Sequence, residues 1–132
     1  MTTLTQTWNE AVAGSPRRSR TAVAILWTLQ IASAAMFLFA GTLKLTSAPL
    51  MVQEFGVIGI GQWFRYLTGT IEVVSAVLLL IPSLAGYGAA ALATTMVGAI
   101  AAHVFILGGS PVPAIVLLAS TSAIAWLRRD DR

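Results

Sequence analysis

At 132 residues, 57% hydrophobic and 10% charged, the chain carries less than half the roughly 25% charged share of an ordinary soluble domain. It has no cysteine and one histidine, His103, which excludes a disulfide framework, thiol exchange, thiolate metal sites and paired imidazole ligation of a haem within one chain. The net charge of +3 arises from eight basic residues, six of them at the two ends, a distribution that reads as membrane topology and not as a nucleic-acid-binding face.

Residues 1–20 form a polar, basic tail expected to be disordered, with a short surface helix on the weak Leu4, Trp8, Val12 spacing as the alternative, followed by the breaker Gly14-Ser15-Pro16. Arg17, Arg18 and Arg20 then precede an apolar run over 21–44. Ala32-Ser33-Ala34 imitates a signal-peptidase site, but a signal-peptide apolar region is only about 7–15 residues long and this run continues past Phe39. It is expected as a retained first transmembrane helix. The segment 46–62 is too apolar for an aqueous linker. Within it, Pro49 to Phe55 predicts a short helix lying along the outer face as a lid, with Ser47 as its cap and Gly56 as its stop.

A second span is expected over 63–81, halted by Pro82, and a third over 86–107, broken at Gly108-Gly109-Ser110-Pro111. The fourth, 110–127, falls short of the roughly 20 residues that cross a bilayer and ends on the charged segment 128–132. The predicted fold class is therefore all-α: an integral membrane four-helix bundle over 21–127, with both arginine-rich termini on the cytoplasmic side by the positive-inside rule. Trp27, Trp63 and Trp126 sit near span ends, where an interfacial aromatic belt forms.

Ionisable groups at bilayer depth cost about 2.5–3.5 kcal/mol each on insertion, so Lys44, Arg65, Glu72 and His103 are the candidate site residues. With the spans alternating in direction, all four fall in the outer half of the bundle. Arg65, Gly69, Glu72 and Ala76 share one helical stripe, Ala91, Thr95, Ala99 and His103 a second, and Gln30, Ala34, Phe37, Gly41 and Lys44 a third. Phe37 lies at about the depth of Glu72, and Gly41 and Gly69 permit close helix approach. Three helices can then aim polar tips at one interior site, where Glu72 accepts hydrogen bonds from His103, Arg65 or Lys44 and offers a polar end to an apolar ligand. The same residues suit an interhelical staple or an oligomer contact, and all three readings stand at this point. Glu54 in the outer loop reads as a solvated charge, and Ser120-Thr121-Ser122 as hydroxyls bonded to their own backbone or to a neighbouring helix.

The runs Phe39-Ala40-Gly41-Thr42-Leu43-Lys44-Leu45, Tyr66-Leu67-Thr68-Gly69-Thr70-Ile71-Glu72 leading to Leu78-Leu79-Leu80-Ile81-Pro82, and Ala99 to His103 together resemble the DoxX-like family of small four-helix membrane proteins, over about residues 21 to 127. The resemblance implies a bacterial cytoplasmic-membrane protein, from a group linked variously to quinone-coupled sulfur oxidation, to membrane oxidative-stress complexes and, in animals, to receptor assembly. It marks Lys44, Glu72 and His103 as the matching polar positions and Gly41 and Gly69 as the packing glycines. Without cysteine, any redox electron must ride on a bound group, so oxidoreductase activity would need a bound quinone or a partner subunit. The expectation is an accessory subunit that binds a quinone- or lipid-like molecule for a membrane redox system, with no covalent cofactor and no metal. Its expected partners are the lipid bilayer, a membrane redox protein and further copies of the chain in a homo-oligomer, with no nucleic acid. The alternative is a non-catalytic scaffold or assembly factor whose buried charges are structural staples. A transporter or proton path is less favoured, because no discontinuous helix pair is visible.

Overall fold

The computed structural model describes residues 3–4, 6–7 and 18–131. The surface helix suggested for the tail, with Trp8 and Val12, lies outside the described residues, as do Arg17 and Arg132. All regular structure among the described residues of the main body is helical: α1 (Arg20–Leu45), α2 (Pro49–Ile58), α3 (Gln62–Leu79), α4 (Ala85–Ala102) and α5 (Val112–Leu127). A π-helical turn, His103–Leu107, continues α4, and a 3-10 turn, Arg129–Asp131, follows α5.

The helix ends have local causes. The Ser19 hydroxyl accepts from the Ala22 N–H at 3.0 Å and caps α1. At its other end the Ala48 N–H reaches back to the Leu43 carbonyl at 3.0 Å around Ser47, which takes a left-handed φ of 60°, the wrap that satisfies orphan carbonyls of a last turn. Ser47 thus closes α1 and does not cap α2, whose N-cap is Ala48 and whose Pro49 has no N–H to satisfy. Nor does Gly56 stop α2. The helix runs through it to Ile58 and ends at Gly59, where φ is 82°; a glycine breaks a helix only where the backbone turns left-handed.

Helix α1 packs on α3, α3 on α4, α4 on α5, and α5 returns to α1, while α2 lies against α3 and the π turn. The Arg18 guanidinium donates to the Leu127 carbonyl, so the start of α1 and the finish of α5 share the end opposite α2. The interior combines Leu26, Phe37, Leu79, Leu92 and Ile124 with the small residues Ala34, Ala76 and Ala89. Gln30, Ser33, Arg65, Glu72, Ser75, Thr121 and Arg128 are buried as well, whereas Ile25, Ile31, Met36, Phe39, Val74, Val97, Phe105 and Val116 face outward. A water-soluble domain does not cover itself in this way with large apolar side chains.

Two stretches, Arg20–Leu45 with 26 residues and Ala85–Leu107 with 23, are long and apolar enough to cross a membrane. At 1.5 Å per residue they span about 39 and 34 Å, against a hydrocarbon core of about 30 Å. Helix α3 carries Arg65 and Glu72 in 18 residues, and α5 is a shorter apolar helix of 16 residues.

Candidate functional site

Helices α1 and α3 meet at two glycines. A Cβ on Gly41 would lie 2.7 Å from Val73 Cγ2 and 3.0 Å from the Gly69 carbonyl oxygen, and one on Gly69 would lie 2.9 Å from Lys44 Cβ. Only hydrogen fits at either position. This approach carries Lys44 across to α3, where its Nζ donates to Glu72 Oε2 at 3.1 Å. The Glu72 side chain is 2% exposed and that of Lys44 13%. Glu72 Oε1 has no protein hydrogen bond, yet no fully buried side-chain oxygen or nitrogen among the described residues lacks a partner. Oε1 therefore retains a sliver of accessible surface, and the space beside this residue is a cavity that it lines.

That cavity, about 330 Å³, lies between α2, α3 and α4. Phe55 and Ile58 from α2, Leu67 and Ile71 from α3 and Met96 from α4 make its walls apolar, and Lys44, Thr68, Glu72, Thr95, His103 and Glu54 supply its polar groups. The Thr68 and Thr95 hydroxyls donate to the carbonyls of Phe64 and Ala91 at 2.8 and 2.9 Å. His103 opens the π turn, and its Nδ1 lies 2.9 Å from the Ala99 carbonyl oxygen. A carbonyl can only accept, so Nδ1 carries the proton, and whenever the ring is neutral Nε2 is an acceptor. The π turn is closed by the Gly108 N–H bonded to the His103 carbonyl at 3.0 Å. A second cavity of about 380 Å³ shares Glu54, His103 and Leu107 with the first, which sets these three residues at the boundary between the two.

Of the sequence candidates, Lys44, Glu72 and His103 meet on this cavity; Glu72 takes its bond from Lys44, and His103 bonds its own helix. Arg65 is buried elsewhere. Its Nε donates to Gln62 Oε1 at 2.7 Å, its guanidinium donates to the Lys44 backbone carbonyl, and it lies 4.3 Å over the Tyr66 ring. It satisfies an orphan carbonyl at the end of α1 and forms no part of the cavity wall. Phe37 also misses the cavity, being 1% exposed within the hydrophobic core. Gln30 serves the opposite end: Nε2 donates to the Leu79 carbonyl at 2.6 Å and Oε1 accepts from Arg128 Nε at 2.8 Å. A common stripe does not make a common site, since Gln30 and Lys44 are about 21 Å apart along α1.

Sequence reasoning missed Glu54, which is half-buried on the cavity wall and not a solvated loop charge. The signal was its neighbour Phe55, whose burial under a lid helix brings the preceding residue to the lid's edge. Ser120 bonds Ser33 across helices at 2.7 Å, and Thr121 donates to the Leu117 carbonyl at 2.8 Å.

Neither the curated proteins nor the solved structures contain a match to this chain. A family model, that of the DoxX-like family, matches residues 28–127, a stretch that takes in most of α1 and all of α2 to α5. The chain belongs to the DoxX-like family, and its two bilayer-length apolar helices support a membrane protein of that family.

Proposed function

We propose that the protein is an integral membrane four-helix bundle that binds a quinone- or lipid-like molecule beneath α2, as an accessory subunit of a membrane redox system in the bacterial cytoplasmic membrane. The observation that carries this reading is a cavity of about 330 Å³ with apolar walls that ends on an ion pair with one carboxylate oxygen unused. Such a volume lies at the lower end of small-molecule sites, which combine apolar walls with a few fixed polar groups. The cover of large apolar side chains around an interior that also buries Gln30, Arg65, Glu72 and Arg128 supports insertion in lipid. Arg18, Arg20, Arg128 and Arg129 gather at the end opposite α2, and the positive-inside rule makes that end cytoplasmic. The lid and the cavity then face outward.

A second reading, a scaffold whose charges are staples, draws on the Gly41–Gly69 crossing that the Lys44–Glu72 pair clasps. Native mass spectrometry of gently extracted protein, wild type and Glu72→Gln, decides between them. Binding predicts a retained amphiphile whose occupancy falls about tenfold in the folded variant. A variant that unfolds in detergent while its folded fraction keeps full occupancy, or wild type that retains nothing but a partner protein, establishes the scaffold instead.

A further inference from the structure

Most of the polar groups that the cavity leaves unused are acceptors. Glu72 gives one carboxylate oxygen, its other being held by Lys44. In its neutral form His103 gives the Nε2 lone pair, because Nδ1 donates to the Ala99 carbonyl. Glu54 adds a second carboxylate on the wall, and the Thr68 and Thr95 protons are already committed to backbone carbonyls, which leaves only oxygen lone pairs facing outward from those side chains. The strong donor on the wall, the Lys44 ammonium, places one of its three protons on Glu72, and a hydroxyl oxygen can still accept from it while the hydroxyl proton is donated.

Resting on the reading of this cavity as a ligand site, we infer that its ligand is an amphiphile whose polar end donates hydrogen bonds, a hydroxyl-bearing head such as an alcohol or phenol, in preference to one offering only carbonyl or ether oxygens. A buried acceptor left facing an acceptor costs a full desolvation penalty, whereas a hydroxyl proton satisfies it. Sites built to bond a hydroxyl reject the analogue that lacks it far more strongly than apolar walls reject a methylene. Charge narrows the class further. A carboxylate or phosphate head would meet Glu72 and Glu54 on the wall, so an anionic head does not fit.

The test compares 4-hexylphenol with 4-hexylanisole, which keep the ring and tail and differ in the donor proton. Binding to the full chain in detergent micelles is measured by equilibrium dialysis against protein-free micelles, which removes partition into detergent. The phenol is expected to bind at least tenfold more tightly. Glu72→Gln and His103→Phe, taken separately in case either fails to fold, are each expected to shrink that ratio to about threefold or less. Equal affinity of phenol and anisole overturns the donor inference and leaves the cavity a ligand site. A preference unchanged in both folded variants overturns its assignment to these acceptors. Saturable binding of neither probe overturns the ligand reading itself, and the inference falls with it.

Discussion

At the end of the helix ring where α1 begins and α5 finishes, Gln30 uses both ends of its amide, donating to the Leu79 carbonyl at 2.6 Å and accepting from Arg128 at 2.8 Å. The Arg128 guanidinium also lies 5.4 Å from the Trp27 ring. At the α2 end, Glu72 is just as deeply buried and lines a cavity, yet it engages Lys44 through one oxygen and leaves the other without a protein hydrogen bond. Both clusters join helices that are distant in sequence. What separates them is leftover capacity: in the first both ends of the Gln30 amide are engaged in holding α1, α3 and the end of α5 together, while the second holds α1 to α3 and still has an acceptor to offer. Burial alone therefore does not distinguish a staple from a site; the count of satisfied lone pairs and protons does.

The sharpest way to break this contrast is Gln30→Leu. It removes one hydrogen bond from the buried Arg128 guanidinium and one from the last carbonyl of α3 at once, and the expected loss is about 3 kcal/mol, since a hydrogen bond to a charged group contributes about 1.5–3 kcal/mol and a buried acceptor left without its donor costs about 1–3 kcal/mol. Thermal unfolding in detergent measures the loss, and Gln30→Leu combined with Arg128→Leu should recover a large part of it. Occupancy of the α2-end cavity in the folded fraction should be unchanged. If occupancy falls in step with stability, the two ends are one coupled network and the contrast fails.

The same contrast marks how far the sequence could be read. Long apolar runs and end arginines are properties of whole segments, so the helices and their order follow from hydropathy, and the stripe holding Arg65, Gly69 and Glu72 follows from helical periodicity. Periodicity gives an angle around a helix and not the reach of a side chain. It therefore could not tell that Lys44 rather than His103 answers Glu72, that Arg65 turns back to the end of α1, or that Phe37 packs into the core. The π turn at 103–107 was hidden for another reason. It depends on a shift in hydrogen-bond register next to Gly108 and Gly109, whose φ values are 72° and 74°, and on contact with α2, none of which a hydropathy pattern records.

Gly69→Ala probes the α2 end alone and ranks second in expected effect. The added Cβ would sit 2.9 Å from Lys44 Cβ and 3.1 Å from the Gly41 carbonyl oxygen, contacts with backbone and a side-chain root that cannot swing aside. Parting α1 from α3 should cost about 2 kcal/mol, as overpacking does. Here stability and cavity occupancy should fall together, because the crossing that holds the helices also aims Lys44 at Glu72. A stability loss without change in occupancy would show that the cavity does not depend on the crossing.

The smallest effect, Gly59→Ala, bears on the lid. Gly59 holds φ at 82° to end α2, and an L side chain in that region costs about 1 kcal/mol. The cost falls locally, since α2 is tied down by only a few contacts: Gln62 Nε2 donates to the Val52 carbonyl at 3.1 Å, and Phe55 meets Phe64 with ring centroids 5.9 Å apart. Residues 50–58 should therefore exchange their amide hydrogens faster, roughly fivefold for a change of about 1 kcal/mol, while α1 and α3 keep their protection and the melting temperature barely moves. A retained amphiphile should then leave faster at nearly unchanged capacity. Faster exchange spread evenly over α1 and α3 would instead make α2 an integral part of the helix ring, and the α2 end would be as closed a cluster as the one around Gln30.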